Sequence, residues 1–131
     1  MPLARQTDAT LVKPLEGAIV RRFTAGSAIE AGEAVSMAAD GAIDPTDTTT
    51  ITLAMPLGIA LGPGDYATGD RVDVVVRGPV VCLTDATIGD VVYATNTAGE
   101  PSHTAGTKTS ILGMPESATV LFVKPQWVSQ S

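Results

Sequence analysis

Few side chains in this sequence could carry out chemistry. His103 is the only histidine and Cys82 the only cysteine. His103 lies in the loop-like run of residues 101–106, whereas a general base needs an imidazole held in position. Cys82 lies in the apolar run of residues 78–83, where a free cysteine is usually a small buried hydrophobe rather than a nucleophile. We therefore predict a solvated histidine, an inert thiol and no catalytic residue.

The carboxylates are plentiful but do not form a recognisable metal or phosphate motif. The glycine-rich run of residues 62–70 lacks the alternating oxygen ligands of a calcium loop. No phosphate-binding pattern of the type Gly-x-x-x-x-Gly-Lys-Ser/Thr is present. Asp40, Asp44 and Asp47 would reach one cation only if their loop curled, which remains an alternative. The sequence predicts a non-enzymatic protein without a metal, a cofactor or a small-molecule substrate.

The charge of the chain is unevenly distributed between its first 22 residues and the rest. Its 8 basic and 14 acidic residues give a net charge of −6. Residues 1–22 contain 4 basic and 2 acidic residues, a sum of +2, and the remaining residues contain 4 and 12, a sum of −8. An acidic body argues against a protein that binds nucleic acid by neutralising phosphates. The basic start and acidic remainder favour contacts with different partner surfaces.

The pattern of apolar residues predicts an all-β fold. No long window has helical spacing, and 13 glycines and 9 prolines punctuate the chain every few residues. Only 4% of residues are aromatic, so the core consists mainly of aliphatic side chains. The predicted strands are residues 18–24, 34–38, 51–53, 58–61, 71–77, 80–83, 91–94, 111–114 and 119–123.

An internal near-duplication divides the chain into two similar units. The first repeat, residues 31–77, and the second repeat, residues 88–124, each read as a Gly-acid turn, a strand, a Gly turn, a Thr-rich loop and two further strands. A unit of three strands is too small to bury its own face. We predict that the two units pack together as a small β-sandwich or barrel.

The first sixteen residues, the N-terminal arm, differ from the repeats. They contain prolines and no clear alternation, so we predict an extended arm that becomes ordered only against another surface. Residues 17–131 are predicted to form a single β domain. No apolar run approaches the length of a membrane span, and the start of the chain lacks the apolar region of a signal peptide. We expect synthesis in the cytoplasm and no membrane partner.

The glycine turns and valine strands resemble those of a known family. The runs at residues 31–35, 58–61, 69–80 and 89–93 are similar to those of small decoration, or cement, proteins on the heads of tailed bacteriophages. The resemblance covers roughly residues 17–125 and specifies a fold better than an activity. It implies a homotrimer on the outer surface of an icosahedral virion that clamps neighbouring major capsid subunits. Such a clamp binds the mature lattice and stabilises it by mass action.

The resemblance implies candidate contact residues in the arm, in the strand that follows it and in the C-terminal segment. Basic side chains would meet acidic capsid residues, apolar side chains would complete the contact, and the single tryptophan would either cap the core or anchor an interface. The candidates are Leu3, Arg5, Leu11, Val12, Lys13, Leu15, Arg21, Arg22 and Trp127. Two other classes remain open. A virion-surface recognition module, such as a head fibre base or a glycan-binding domain, would use Tyr66, and a small trimeric β enzyme would need a magnesium site for which no motif is present.

Overall fold

A computed structural model describes residues 3–49, 53–62, 64–107 and 109–127. The predicted strand at residues 51–53 lies outside them except for Leu53. One 3-10 turn, Ala9–Leu11, precedes the strands. The strands are β1 Lys13–Pro14, β2 Ile19–Thr24, β3 Ala34–Met37, β4 Ile43–Pro45, β5 Gly58–Ala60, β6 Arg71–Val81, β7 Val92–Ala94, β8 Pro101–Ser102, β9 Ser110–Pro115 and β10 Val120–Trp127.

The described strands form one antiparallel sheet with the curvature of a half-barrel. Its order is β4-β3-β5-β6-β10-β9-β7-β8, with β1 and β2 paired to β6. The all-β prediction is therefore confirmed. No helix in the described residues is long and apolar enough to cross a membrane.

The two repeats have the same strand order. The first is β4-β3-β5-β6 and the second is β8-β7-β9-β10. Val35 lies opposite Gly58 in the first repeat, as Val92 lies opposite Gly113 in the second. Each repeat has four strands rather than the predicted three, because a short strand, β4 or β8, follows its second glycine turn. The antiparallel pair of β6 and β10 joins the repeats.

The long strand β6 corrects one prediction. Two separate strands were expected on either side of Gly78 and Pro79, because these residues usually interrupt a strand. Gly78 instead adopts a φ of 110°, and the carbonyl of Pro79 accepts a hydrogen bond from Leu15 N–H at 3.0 Å. The chain therefore continues through both residues. β6 pairs with β2 and β5 along its first half and with β1 and β10 along its second.

The N-terminal arm is folded back on the sheet of its own chain. β1 pairs with the end of β6, and Gln6 N–H donates to the carbonyl of Cys82 at 2.8 Å. Leu3 and Val12 are buried in the larger of two core clusters, among aliphatic side chains from both repeats. The surface that orders the arm is therefore the sheet of its own chain, whereas the expectation was an arm that becomes ordered only against another surface. The arm is extended, as expected, but its apolar side chains complete the core of the body.

Candidate interaction surface

The only cysteine and the only histidine are held by the fold itself. Cys82 is buried, and burial raises the pKa of its thiol to about 12, so little reactive thiolate exists near neutral pH. His103 Nε2 accepts a hydrogen bond from Thr87 N–H at 3.0 Å, and His103 Nδ1 lies 3.1 Å from the carbonyl of Val91. The histidine is therefore half-buried and bridges two backbone segments, whereas the sequence predicted a solvated residue without such contacts.

The loop carboxylates are used locally. Asp40 accepts a hydrogen bond from Ala42 N–H at 3.0 Å, and Asp47 accepts from the N–H and hydroxyl of Thr49 at 2.9 and 2.7 Å. Such contacts two residues along the chain close turns. Among the described residues no group of three potential ligands converges and no pocket is present. The alternative of a shared cation at these aspartates gains no support from their placement.

Arg5 ties the arm to both repeats. Its Nη2 donates to Glu30 and its Nε to Glu100, both at 2.8 Å, and its Nη1 donates to the carbonyl of Ala31 at 2.9 Å. Glu30 and Ala31 precede β3, whereas Glu100 precedes β8 in the second repeat. The side chain of Arg5 is only 6% exposed. Arg5 is therefore placed inside the protein, away from any partner that the outer surface could meet.

Glu33 lies beside this ion-pair network and gives it a pH dependence. Burial raises the pKa of the Glu33 carboxyl, opposed by a hydrogen bond from Glu30 N–H and by the charge of Arg5. The folded protein thus holds this proton more tightly than the unfolded chain does. The free energy of unfolding therefore falls as the pH rises from the unfolded pKa through the folded pKa of Glu33.

We expect Glu33→Gln to be more stable than the wild type at pH 7, by less than about 1 kcal/mol. Glutamine retains an oxygen acceptor for Glu30 N–H but does not ionise. Urea unfolding between pH 3 and pH 8 should show the difference shrinking toward about pH 4. Glu116→Gln, on an exposed turn, is the matched control. A Glu33→Gln variant that is less stable than the wild type at pH 7 would contradict this explanation.

The exposed members of the predicted contact set, among the described side chains, form a strip in the sense that they follow one another along one edge of the sheet. After the buried residues 3, 5 and 12, the chain forms β1 and β2, which both pair with β6. Two further exposed residues, Ile19 and Val20, join the strip; Ile19 is 52% exposed. We name this strip the basic edge, and it comprises Leu11, Lys13, Leu15, Ile19, Val20, Arg21 and Arg22.

The basic edge contains the least protected edge strand of the sheet. The edge strands β1, β4 and β8 have two or three residues, and each contains a proline, which lacks a backbone donor. β2 has six residues and no proline, and within the described residues it pairs only with β6. Backbone groups on its outer side are therefore open to another chain.

Two members of the basic edge have different electrostatic surroundings. Arg22 Nε donates to Asp73 at 2.9 Å, and both side chains are largely exposed, so this pair contributes little to stability. Arg21 has no ion-pair partner in the described part of the chain. Its charge is thus available to a partner molecule.

The structure divides the predicted contact residues into three groups. Leu3, Arg5 and Val12 are buried within the chain, so the expectation that they meet a partner is corrected. The exposed group is Leu11, Lys13, Leu15, Arg21 and Arg22. The side chain of Trp127 lies outside the described residues, although the backbone there ends β10. Sequence reasoning missed Ile19 and Val20, although two apolar residues followed by two arginines already break the alternation of a half-buried strand.

The chain matches no protein-family model, and no curated protein is significantly similar to it in sequence. The features described here define an all-β protein in which the basic edge is the candidate binding surface. This edge offers apolar side chains, basic side chains and, as far as the described residues go, backbone groups of β2 that no strand pairs.

Proposed function

We propose that this protein is a structural virion protein that decorates the outer surface of an icosahedral phage capsid. It binds neighbouring major capsid subunits as a homotrimer and stabilises the mature lattice. The observation that carries the proposal is the basic edge, which presents exposed apolar and basic residues on an otherwise acidic chain. A capsid surface with acidic residues beside apolar ones is its complement.

The ordered body supports a clamp. Because Arg5 links the arm to both repeats, a force that a partner applies to the arm is transmitted to the second repeat as well. A rigid surface loses little conformational entropy on binding, which favours a useful affinity from a small contact. Three such contacts in one trimer act together, so a weak single contact suffices.

The glycan-binding alternative depends on Tyr66. Its hydroxyl donates to the carbonyl of Leu61, and its ring packs partly against the smaller core cluster. Burial raises the pKa of the hydroxyl, in keeping with this enclosed position. A sugar platform needs an exposed aromatic face, so these contacts favour the capsid contact over a glycan site.

The proposal predicts that Arg21→Glu weakens binding to expanded heads of the phage that encodes this chain by at least tenfold. The substitution turns attraction into repulsion, and a trimer repeats the loss three times. Binding is measured by sedimentation with expanded heads and with unexpanded heads, to which we expect no binding. Lys124→Glu changes the net charge equally at an exposed position on β10 and should bind as the wild type does.

Either of two results would reject the capsid role. One is wild-type protein that binds neither form of the head. The other is equal loss of binding in Arg21→Glu and Lys124→Glu, because net charge rather than the basic edge would then explain the effect. Saturable binding should also raise the melting temperature of the heads. Without head binding, retention on a glycan array that Tyr66→Ala abolishes would favour the recognition module.

A further inference from the structure

The two repeats begin with the same turn. In the first repeat, Glu33 N–H donates to the carbonyl of Glu30 at 3.1 Å and Gly32 has a φ of 92°. In the second, Asp90 N–H donates to the carbonyl of Thr87 at 3.3 Å and Gly89 has a φ of 98°. The turns therefore share their sequence pattern, hydrogen bond and glycine conformation. Positions 31 and 88 are equivalent.

The turn of the first repeat is covered by the N-terminal arm. Ala31 is 1% exposed, and its carbonyl accepts the hydrogen bond from Arg5. A side-chain carbon at Gly32 would lie 3.1 Å from the carbonyl oxygen of Gln6 and 3.4 Å from Val12. An extended segment with a basic residue and an apolar residue thus fills this site.

The equivalent turn of the second repeat is open. Ile88, at the position of Ala31, is 68% exposed, the largest exposure among the large apolar residues of the described chain. A side-chain carbon at Gly89 would meet no atom within 4 Å. Asp90, at the position of Glu33, is exposed. The second turn therefore has the backbone shape of the first, with a larger apolar residue at its centre and Thr87 at the position of Glu30. His103 contacts its first residue, where Thr87 N–H donates to Nε2 at 3.0 Å, and leaves Ile88 and Asp90 exposed.

We propose that the turn at residues 87–90 is a docking site for an extended segment of another protein, with a basic residue beside an apolar one. The apolar residue covers Ile88, and the basic residue faces Asp90, the counterpart of Glu33, whose charge acts on Arg5 in the first repeat. The net charge of −8 over residues 23–131 favours the same basic partner. This inference rests on the internal repeat and not on the capsid proposal, so either can fail alone.

A second copy of this chain is a poor source of the segment. Each copy has two equivalent turns and one arm. An arm that left its own turn would remove Leu3 and Val12 from the core and leave the carboxylates around Arg5 without their cation. Exchange of arms between copies would still leave one turn of every copy uncovered. The arm of a second copy is therefore not the occupant, and the proposal assigns the segment to a different protein.

The test uses a synthetic peptide of residues 3–14 of this chain, because that sequence fits the equivalent turn. The peptide carries a photo-crosslinking group and is added to the full-length protein, whose own arm is in place. We expect saturable binding and crosslinks to residues 87–90. Ile88→Asp should weaken binding by roughly tenfold or more, because the apolar contact is lost and a carboxylate would have to leave water to pack against the apolar residue of the peptide. A peptide with Arg5→Glu should also bind more weakly.

Met55→Asp is the matched control, because Met55 is 56% exposed on a different segment. This variant should bind the peptide as the wild type does. The proposal is overturned by an absence of saturable binding to the wild type, or by equal losses in Ile88→Asp and Met55→Asp. It is also overturned by crosslinks confined to residues 30–33, which would mean that the peptide displaces the arm and that the first repeat has the only receptor turn.

Discussion

Gly58→Ala should lower the free energy of unfolding by about 3 kcal/mol or more. Gly58 lies in β5, and a side-chain carbon there would lie 2.1 Å from the carbonyl oxygen of Val75 and 2.9 Å from the side chain of Val74. The nearest atom belongs to the backbone of the central strand β6, so no side-chain rotation relieves the clash. The substitution must separate β5 from β6 or distort both strands.

The same close approach recurs in the second repeat. A side-chain carbon at Gly113 would lie 2.0 Å from the carbonyl oxygen of Phe122 on β10. We therefore expect Gly113→Ala to cause a loss of similar size, as judged from the urea midpoint at an unchanged slope. Gly64→Ala is the control, because no atom lies within 4 Å of its added carbon, and its midpoint should stay near that of the wild type. Wild-type midpoints for both clashing variants would show that the repeats do not pack as described.

Arg5→Met should cost about 2–4 kcal/mol of folding stability and loosen the N-terminal arm. Methionine retains much of the apolar length of arginine but donates no hydrogen bond. It leaves the carbonyl of Ala31 and the partly buried carboxylate of Glu100 without their partner, whereas Glu30, which is 61% exposed, can turn to water. The cost therefore lies mainly in the groups that remain enclosed.

Two measurements separate loss of the arm from general instability. Hydrogen exchange of residues 3–12 should speed up in Arg5→Met under conditions where β10 stays protected, because the arm opens before the sheet unfolds. Lys13→Met removes an exposed charge from the same arm and should change neither exchange nor stability appreciably. If Arg5→Met and Lys13→Met behave alike, the ion pairs of Arg5 do not hold the arm.

These expectations divide the arm into two parts with different tasks. Leu3 and Val12 complete the core, and Arg5 holds the arm over the first glycine turn. The basic edge begins at Leu11 and faces solvent along β6. A deletion of the whole arm would combine both effects, so loss of partner binding after such a deletion would not locate the contact. Single substitutions at Arg21 and Arg5 separate binding from folding.

The failures of sequence-based prediction have a common physical origin. The ion pair between Arg5 and Glu100 joins residues 95 positions apart, and no local pattern encodes such a contact. The interruption expected at Gly78 and Pro79 follows correct local rules, but pairing with β10 and a hydrogen bond from Leu15 hold the chain extended there. Tertiary contacts thus override a local preference in both cases.

The sequence by itself determined the all-β class, most strand positions and the two repeats. Valine runs, glycine turns and prolines act over a few residues, so the strands and turns that they favour can be predicted without knowledge of the tertiary structure. The tertiary structure alone decided which parts of the basic arm are buried, which sheet edge stays open and which of the two equivalent turns is covered. Those outcomes depend on which distant segments meet, because burial is a property of the packed chain and not of the residue type.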